Sequence, residues 1–179
     1  MIRPVAILSL LLLAAGCGGD STGDRLNAYF GRVQLEQSAY RDAQKGALHA
    51  MDLIGKQQPS AANCRVSARL MRSASDRYTR LGRRMSSIEP PATLQLAHEK
   101  LAQSLGLYAL FFDELQRAIA FCNPRALLAE DASPLPDQAQ QLRSEWRKAV
   151  AAYARRAGVE LPGWAAEVGL GAATSSDST

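Results

Sequence analysis

The chain has little from which a catalytic centre is made. His49 and His98 are its only histidines, and neither has a second His or a Cys at a ligand spacing. There is no Gly-x-Ser-x-Gly, no phosphate-cradling glycine loop and no His-Glu-x-x-His pair. Cys-x-x-Cys-His, the covalent haem attachment, is missing. So is the Glu-x-x-His of carboxylate-bridged metal bundles. The acids are scattered, and Ser73 and Ser104 have no evident base beside them. These gaps argue against an enzyme, a metal site and a cofactor. Met51, Met71 and Met85 fall where core filler belongs, although with His98 they leave a weaker haem or copper reading. Period-two alternation is rare, which argues against strands.

No apolar run approaches the roughly 20 residues that a membrane-spanning helix needs. The run from Val5 to Leu13 is far shorter. It follows a basic start at Arg3 and ends in Ala14-Ala15-Gly16-Cys17. That stretch resembles the signal peptide of bacterial lipoproteins, a targeting segment that stays outside the fold. Ala14 stands where the lipoprotein cleavage box usually has Leu, with Leu13 one step earlier. The resemblance implies removal of residues 1–16 and lipidation of Cys17. An ordinary secretory cut nearby is the alternative, leaving Cys17 a free thiol or removing it. One acyl chain anchors only marginally, and the two or three implied by the resemblance hold firmly. Residues 17–23, rich in Gly, Ser and Thr, then read as a flexible tether. Gly18, where an inner-membrane protein of this type carries Asp, implies the outer membrane facing the periplasm, in a cell that has one.

The remainder is one domain's worth of chain, with 47% apolar and 21% charged residues overall. If Cys17 takes lipid, Cys64 and Cys122 remain, and an oxidising compartment pairs them. Two buried free thiols are the alternative.

Apolar spacing predicts four amphipathic helices. The first runs from about Asp24 to Ile54 along Leu26, Phe30, Val33, Tyr40, Ala47 and Met51. Gln37 and Gln44 interrupt it, so the buried face drifts towards Ala43 and Ala50. The second starts near Ser60 or Asn63 and follows Cys64, Ser67, Met71, Ala74, Tyr78, Leu81, Met85 and Ile88. Pro90-Pro91 ends it, because a residue before proline is pushed out of the helical region. The third, about Ala92 to Phe121, follows Leu94, Ala97, Leu101, Leu105, Tyr108, Phe112, Leu115, Ile119 and Cys122. Leu96, Leu107, Leu110 and Phe111 add a second apolar face, which predicts that this helix is the most buried. After a Pro- and Ala-rich link from Pro124 to Pro136, the fourth spans about Asp137 to Ala157 along Ala139, Leu142, Trp146, Ala149 and Tyr153. Gly158 stops it, and Leu161 to Val168 reads as a short helix laying Trp164 on the bundle end.

The predicted fold is all-α, an antiparallel up-down-up-down four-helix bundle with a short C-terminal helix, over residues 24–170. Residues 171–179 read as a disordered, fraying tail. Cys64 and Cys122 fall at the end opposite the proline turn, about one helical turn out of register. Either the third helix runs past its partner or Cys64 sits in a loosened first turn.

The sharpest functional feature is charge. Between Cys64 and Ile88 seven arginines face one acid, Asp76. Arg65, Arg69, Arg72, Arg80 and Arg83 step at helical spacing off the apolar seam. Such a stripe suits anionic lipid, an anionic glycan or an acidic envelope protein. The plainer reading is a solvated face, partly neutralised by Asp42, Asp52 and Asp113. No nucleic-acid motif is present. His98, seven residues after Pro91, reads as a structural latch on the proline turn. That pattern resembles one in uncharacterised exported helical proteins and carries no function with it. The expected function is a lipid-anchored binding or scaffolding module of the cell envelope. The alternative is a carrier of a small apolar ligand or lipid, contacted by Tyr108, Phe111 and Phe112. The partner and the oligomeric state are not encoded in any motif.

Overall fold

A computed structural model describes residues 21–55, 60–122 and 133–166. The leader, Cys17, the link residues Leu127 and Leu128 and the tail 171–179 lie outside them. Among the described residues the structure is an all-α bundle without strands. No described helix is long and apolar enough to cross a membrane.

Helix α1 spans Thr22–Leu35 and α2 spans Gln37–Gly55. The Ser21 hydroxyl accepts the Asp24 N–H at 3.1 Å, and the Asp24 carboxylate accepts the Ser21 N–H at 3.2 Å. This capping box satisfies two orphan donors. Thr22 and Gly23, expected in the tether, are therefore already helical.

The single long first helix is corrected to two. At Glu36 the N–H turns back to the Val33 carbonyl at 3.2 Å, a tightened spacing that breaks the ladder. The break rephases the buried face. Leu26, Tyr29, Phe30 and Val33 are buried before it, and Ala43, Ala47 and Ala50 after it. Met51, expected on the seam, is exposed. The small alanines let α2 approach α3, where the Ser67 hydroxyl donates to the Ala50 carbonyl at 3.1 Å.

Helix α3 spans Ala61–Ser86, with Ser60 accepting the Asn63 N–H at 3.2 Å. Its seam is buried as spaced from Cys64 to Met85, and Ile88 is half-buried. After Pro90-Pro91 a 3-10 turn, Ala92–Leu94, feeds α4, Gln95–Ala120. Helices α3 and α4 pack antiparallel along their length, and Ser75 donates to the Ala109 carbonyl at 2.8 Å.

Helix α5 spans Leu135–Ala157 with Pro136 in its first turn, where a missing N–H costs nothing. It buries Ala139, Trp146, Val150 and Ala154, so Ala149 and Tyr153 flank the seam instead of forming it. Gly158, at φ 65°, ends it in the left-handed conformation that glycine adopts without a Cβ penalty. Helix α6, Gly163–Ala166, lays Trp164 over Trp146, ring centres 6.5 Å apart, and edge-on to Phe30 at 6.0 Å.

Cys64 and Cys122 are at disulfide distance, Cα atoms 5.7 Å apart, at the end opposite the proline turn. Cys64 lies in the first turn of α3. Cys122 lies two residues past α4, in a left-handed conformation at φ 49°. That reversal takes up the register offset, since Cys122 folds back towards α3 instead of climbing another turn.

Candidate functional site

The outer side of α3 carries the candidate site. Arg65, Arg69, Arg72, Arg80 and Arg83 are all exposed and lie opposite the buried seam. From Arg65 to Arg83 the stripe runs about 27 Å at 1.5 Å per residue. Among the described residues none of the five closes an ion pair. Two of the expected neutralising acids, Asp113 and Asp42, are engaged differently. Asp113 holds Arg117 at 2.7 Å, one turn along its own helix. Asp42 shares a shallow recess with Arg77, Arg80 and Arg84 without pairing among the described residues. Arg84, off the stripe, pairs with Glu36 at 2.7 Å and pins the α1–α2 break to α3.

Beside the stripe lies an open groove of about 930 Å³ between α3 and α4. Gly82 and Ser86 of α3, and Ala102, Gly106 and Ala109 of α4, form a low floor. Arg83 stands on one lip and Leu107 and Leu110 on the other. This corrects the expected second buried face of α4. Leu96 is 75% exposed and Leu110 54% exposed, because none of the described helices covers that side. Leu107 and Phe111 are half-buried.

The residues expected to contact an apolar ligand pack into an aromatic cluster. Tyr108 and Phe112 are buried against Tyr78, at 5.5 and 5.2 Å between ring centres, and Phe111 packs on Phe112 at 5.4 Å. Tyr78 also meets Tyr40 edge-on at 5.6 Å. Arg143 of α5 donates to the Tyr40 hydroxyl, with its guanidinium carbon 4.5 Å from that ring centre. Burial pushes the Tyr40 phenol up to about 12, against the pull of Arg143, and pushes Tyr78 and Tyr108 upward as well. These phenols stay neutral and act as packing and hydrogen-bonding groups.

His98 is buried, and its Nε2 lies 2.8 Å from the Met85 carbonyl in the last turn of α3. A carbonyl only accepts, so Nε2 carries the proton. Nδ1 then accepts the Tyr29 hydroxyl at 3.0 Å, and the Tyr29 oxygen accepts the Trp146 indole N–H at 2.9 Å. One chain of hydrogen bonds thus ties α1, α3, α4 and α5 together. Burial holds His98 below its ordinary range and raises Tyr29 to about 12. Both ring nitrogens are taken, so this arrangement offers no lone pair of His98 to haem or copper.

Spacing places Tyr40 and Trp146 on seams but does not give their hydrogen-bond partners, and it leaves out Tyr29 and Arg143. Tyr29 had a signal, since Leu26, Tyr29 and Val33 share a helical face. The pairing of Tyr40 with Arg143 across 103 positions had none. No protein-family model, no curated protein and no solved structure matches this chain.

Proposed function

We propose that this chain is a lipid-anchored binding module of the cell envelope, and that the arginine face of α3 is its working surface. The observation that carries this reading is the stripe of five exposed guanidinium groups without an ion pair among the described residues. Neighbouring charges on it are spaced by about 5–12 Å, comparable with a Debye length of about 8 Å at physiological salt. A small ion meets one or two such charges. An extended acidic surface meets them all, at about 1 kcal/mol each near an anionic membrane. The buried aromatic cluster favours this reading over the carrier, because Tyr108 and Phe112 fill space instead of bounding it.

The resemblance of residues 1–17 to a lipoprotein leader supports export and anchoring. Asp24 and Arg25 of α1 border the same surface recess as Pro90 and Pro91. A lipid on Cys17 is four residues from Ser21, at most about 14 Å of chain. It therefore holds the proline-turn end near the membrane, with the stripe running outward from Arg83 to Arg65. That geometry favours an acidic protein of the envelope over the anchoring bilayer.

The test is crosslinking of the native protein in its own envelope, beside a variant with Arg65, Arg69, Arg72, Arg80 and Arg83 all changed to Gln. The reading expects an acidic partner captured by the native chain and lost from the variant. Equal capture by both contradicts it. Changing Cys17 to Ser is expected to release the protein from the membrane fraction, and unchanged retention rejects the anchor.

A further inference from the structure

Where α1 gives way to α2, the bundle closes over a cavity of about 40 Å³. A water needs roughly 10–15 Å³ of such space. The cavity therefore holds about three or four heavy atoms, which excludes an acyl chain, a nucleotide or haem.

Its wall is two-sided. Val33, Leu81, Met85 and Leu105 give an apolar floor. Arg143 and Arg147, one turn apart on α5, and Trp164 of α6 give a wall of donors. The Trp164 Nε1–H is buried without an acceptor among the described residues. A buried donor left unpaired costs about 1–3 kcal/mol, and a native structure that keeps one calls for an acceptor. The two guanidinium groups repel one another. Arg147 is held below its usual range by burial and by the charge of Arg143. Among the described residues, the one acid on the wall is Glu36, which Arg84 holds at 2.7 Å. Two cations and an orphan N–H around a small space with an apolar floor match a carboxylate bearing a short alkyl end.

We propose that this cavity binds a short-chain monocarboxylate of about acetate size, its oxygens on Arg143, Arg147 and the Trp164 N–H and its methyl on the Val33–Leu105 floor. The site is independent of the α3 arginine face. It gives the bundle a small-molecule input at the α1–α2 break.

Trp146 and Trp164 are the only tryptophans, and both line the cavity. Intrinsic fluorescence therefore reports occupancy directly. The experiment titrates the purified full chain with sodium acetate at constant ionic strength, with acetamide and chloride in parallel. The expected result is a saturable change with acetate only. Trp164→Phe removes the orphan donor, enlarges the cavity and keeps Trp146 as reporter. It is expected to weaken acetate binding at least fivefold with an unchanged helical circular dichroism spectrum. Arg147→Gln is expected to weaken it tenfold or more, and Arg83→Gln, on the α3 face, to leave it unchanged. No saturable change, an equal response to acetamide or chloride, or native affinity in Trp164→Phe overturns the proposal. The α3 reading survives any of these results, because the stripe makes no contact with the cavity.

Discussion

Tyr29 and His98, separated by 69 positions, share a buried hydrogen bond of 3.0 Å whose direction is fixed by their other partners. The Met85 carbonyl compels Nε2–H, burial disfavours a second proton on the ring, and Nδ1 therefore accepts the Tyr29 hydroxyl, whose oxygen accepts the Trp146 N–H. The histidine is thereby neutral and the network complete.

Removing the Tyr29 hydroxyl strands two groups at once, the Trp146 N–H and His98 Nδ1. Each lost partner costs about 1–3 kcal/mol when the remaining group stays buried. Tyr29→Phe is therefore expected to lower unfolding free energy by at least about 2 kcal/mol. Equilibrium denaturation measures it, and a loss under about 0.5 kcal/mol would show that water replaces the hydroxyl.

His98 also predicts a pH dependence. Its native pKa lies below the unfolded value of about 6.5, so below that pH the unfolded chain binds more protons than the folded one. Stability is full above about pH 6.5 and falls as the solution is acidified towards the depressed native pKa. Chemical denaturation between pH 7.5 and 5 is expected to show this slope in the native chain and to lose it in His98→Asn. An identical slope in both would place the titrating group elsewhere.

The link between Cys64 and Cys122 closes a loop of 58 positions. The chain-entropy account assigns such a closure about 4 kcal/mol. Part of that is offset by the left-handed Cys122, since such backbone costs about 1 kcal/mol in a residue with a Cβ. Mass spectrometry without reduction is expected to show the linked peptide, and the double Ala variant to melt well below the native chain. Free thiols at both positions would reject the staple.

Gly106 sits in the middle of α4, and a Cβ built on it meets nothing within 4 Å. Gly106→Ala is expected to raise stability by about 0.5–1 kcal/mol, the ordinary helical preference for alanine. A loss of stability would mean that the groove floor closes on this position in solution.

Much of this architecture is legible in spacing. Helices α3 and α4 keep steps of three and four over their length, so each expected seam residue from Cys64 to Met85 and from Leu94 to Ile119 is buried. The break at Glu36 is not legible as a break, because neither Gly nor Pro marks it. The polar Gln37 and Gln44 signalled only that the face shifts. Helix α5 is ambiguous for a different reason. Apolar residues at Ala149, Val150, Ala151 and Ala152 permit two neighbouring stripes, and tertiary packing chooses between them. The second apolar face of α4 shows the limit of pattern reasoning. Leu96 and Leu110 have the right spacing for burial, but none of the described helices lies over them. The cavity is wholly illegible, since it depends on Trp164, Arg147 and Val33 meeting from three separate helices.

The most direct measurement of the central claim is binding of the purified chain to a defined extended polyanion, fluorescent polyglutamate, as salt is raised. The account predicts tight association at low salt that weakens steeply with ionic strength and disappears when Arg65, Arg69, Arg72, Arg80 and Arg83 are changed to Gln. Binding that is insensitive to salt, or that persists at native affinity in the five-arginine variant, would contradict it.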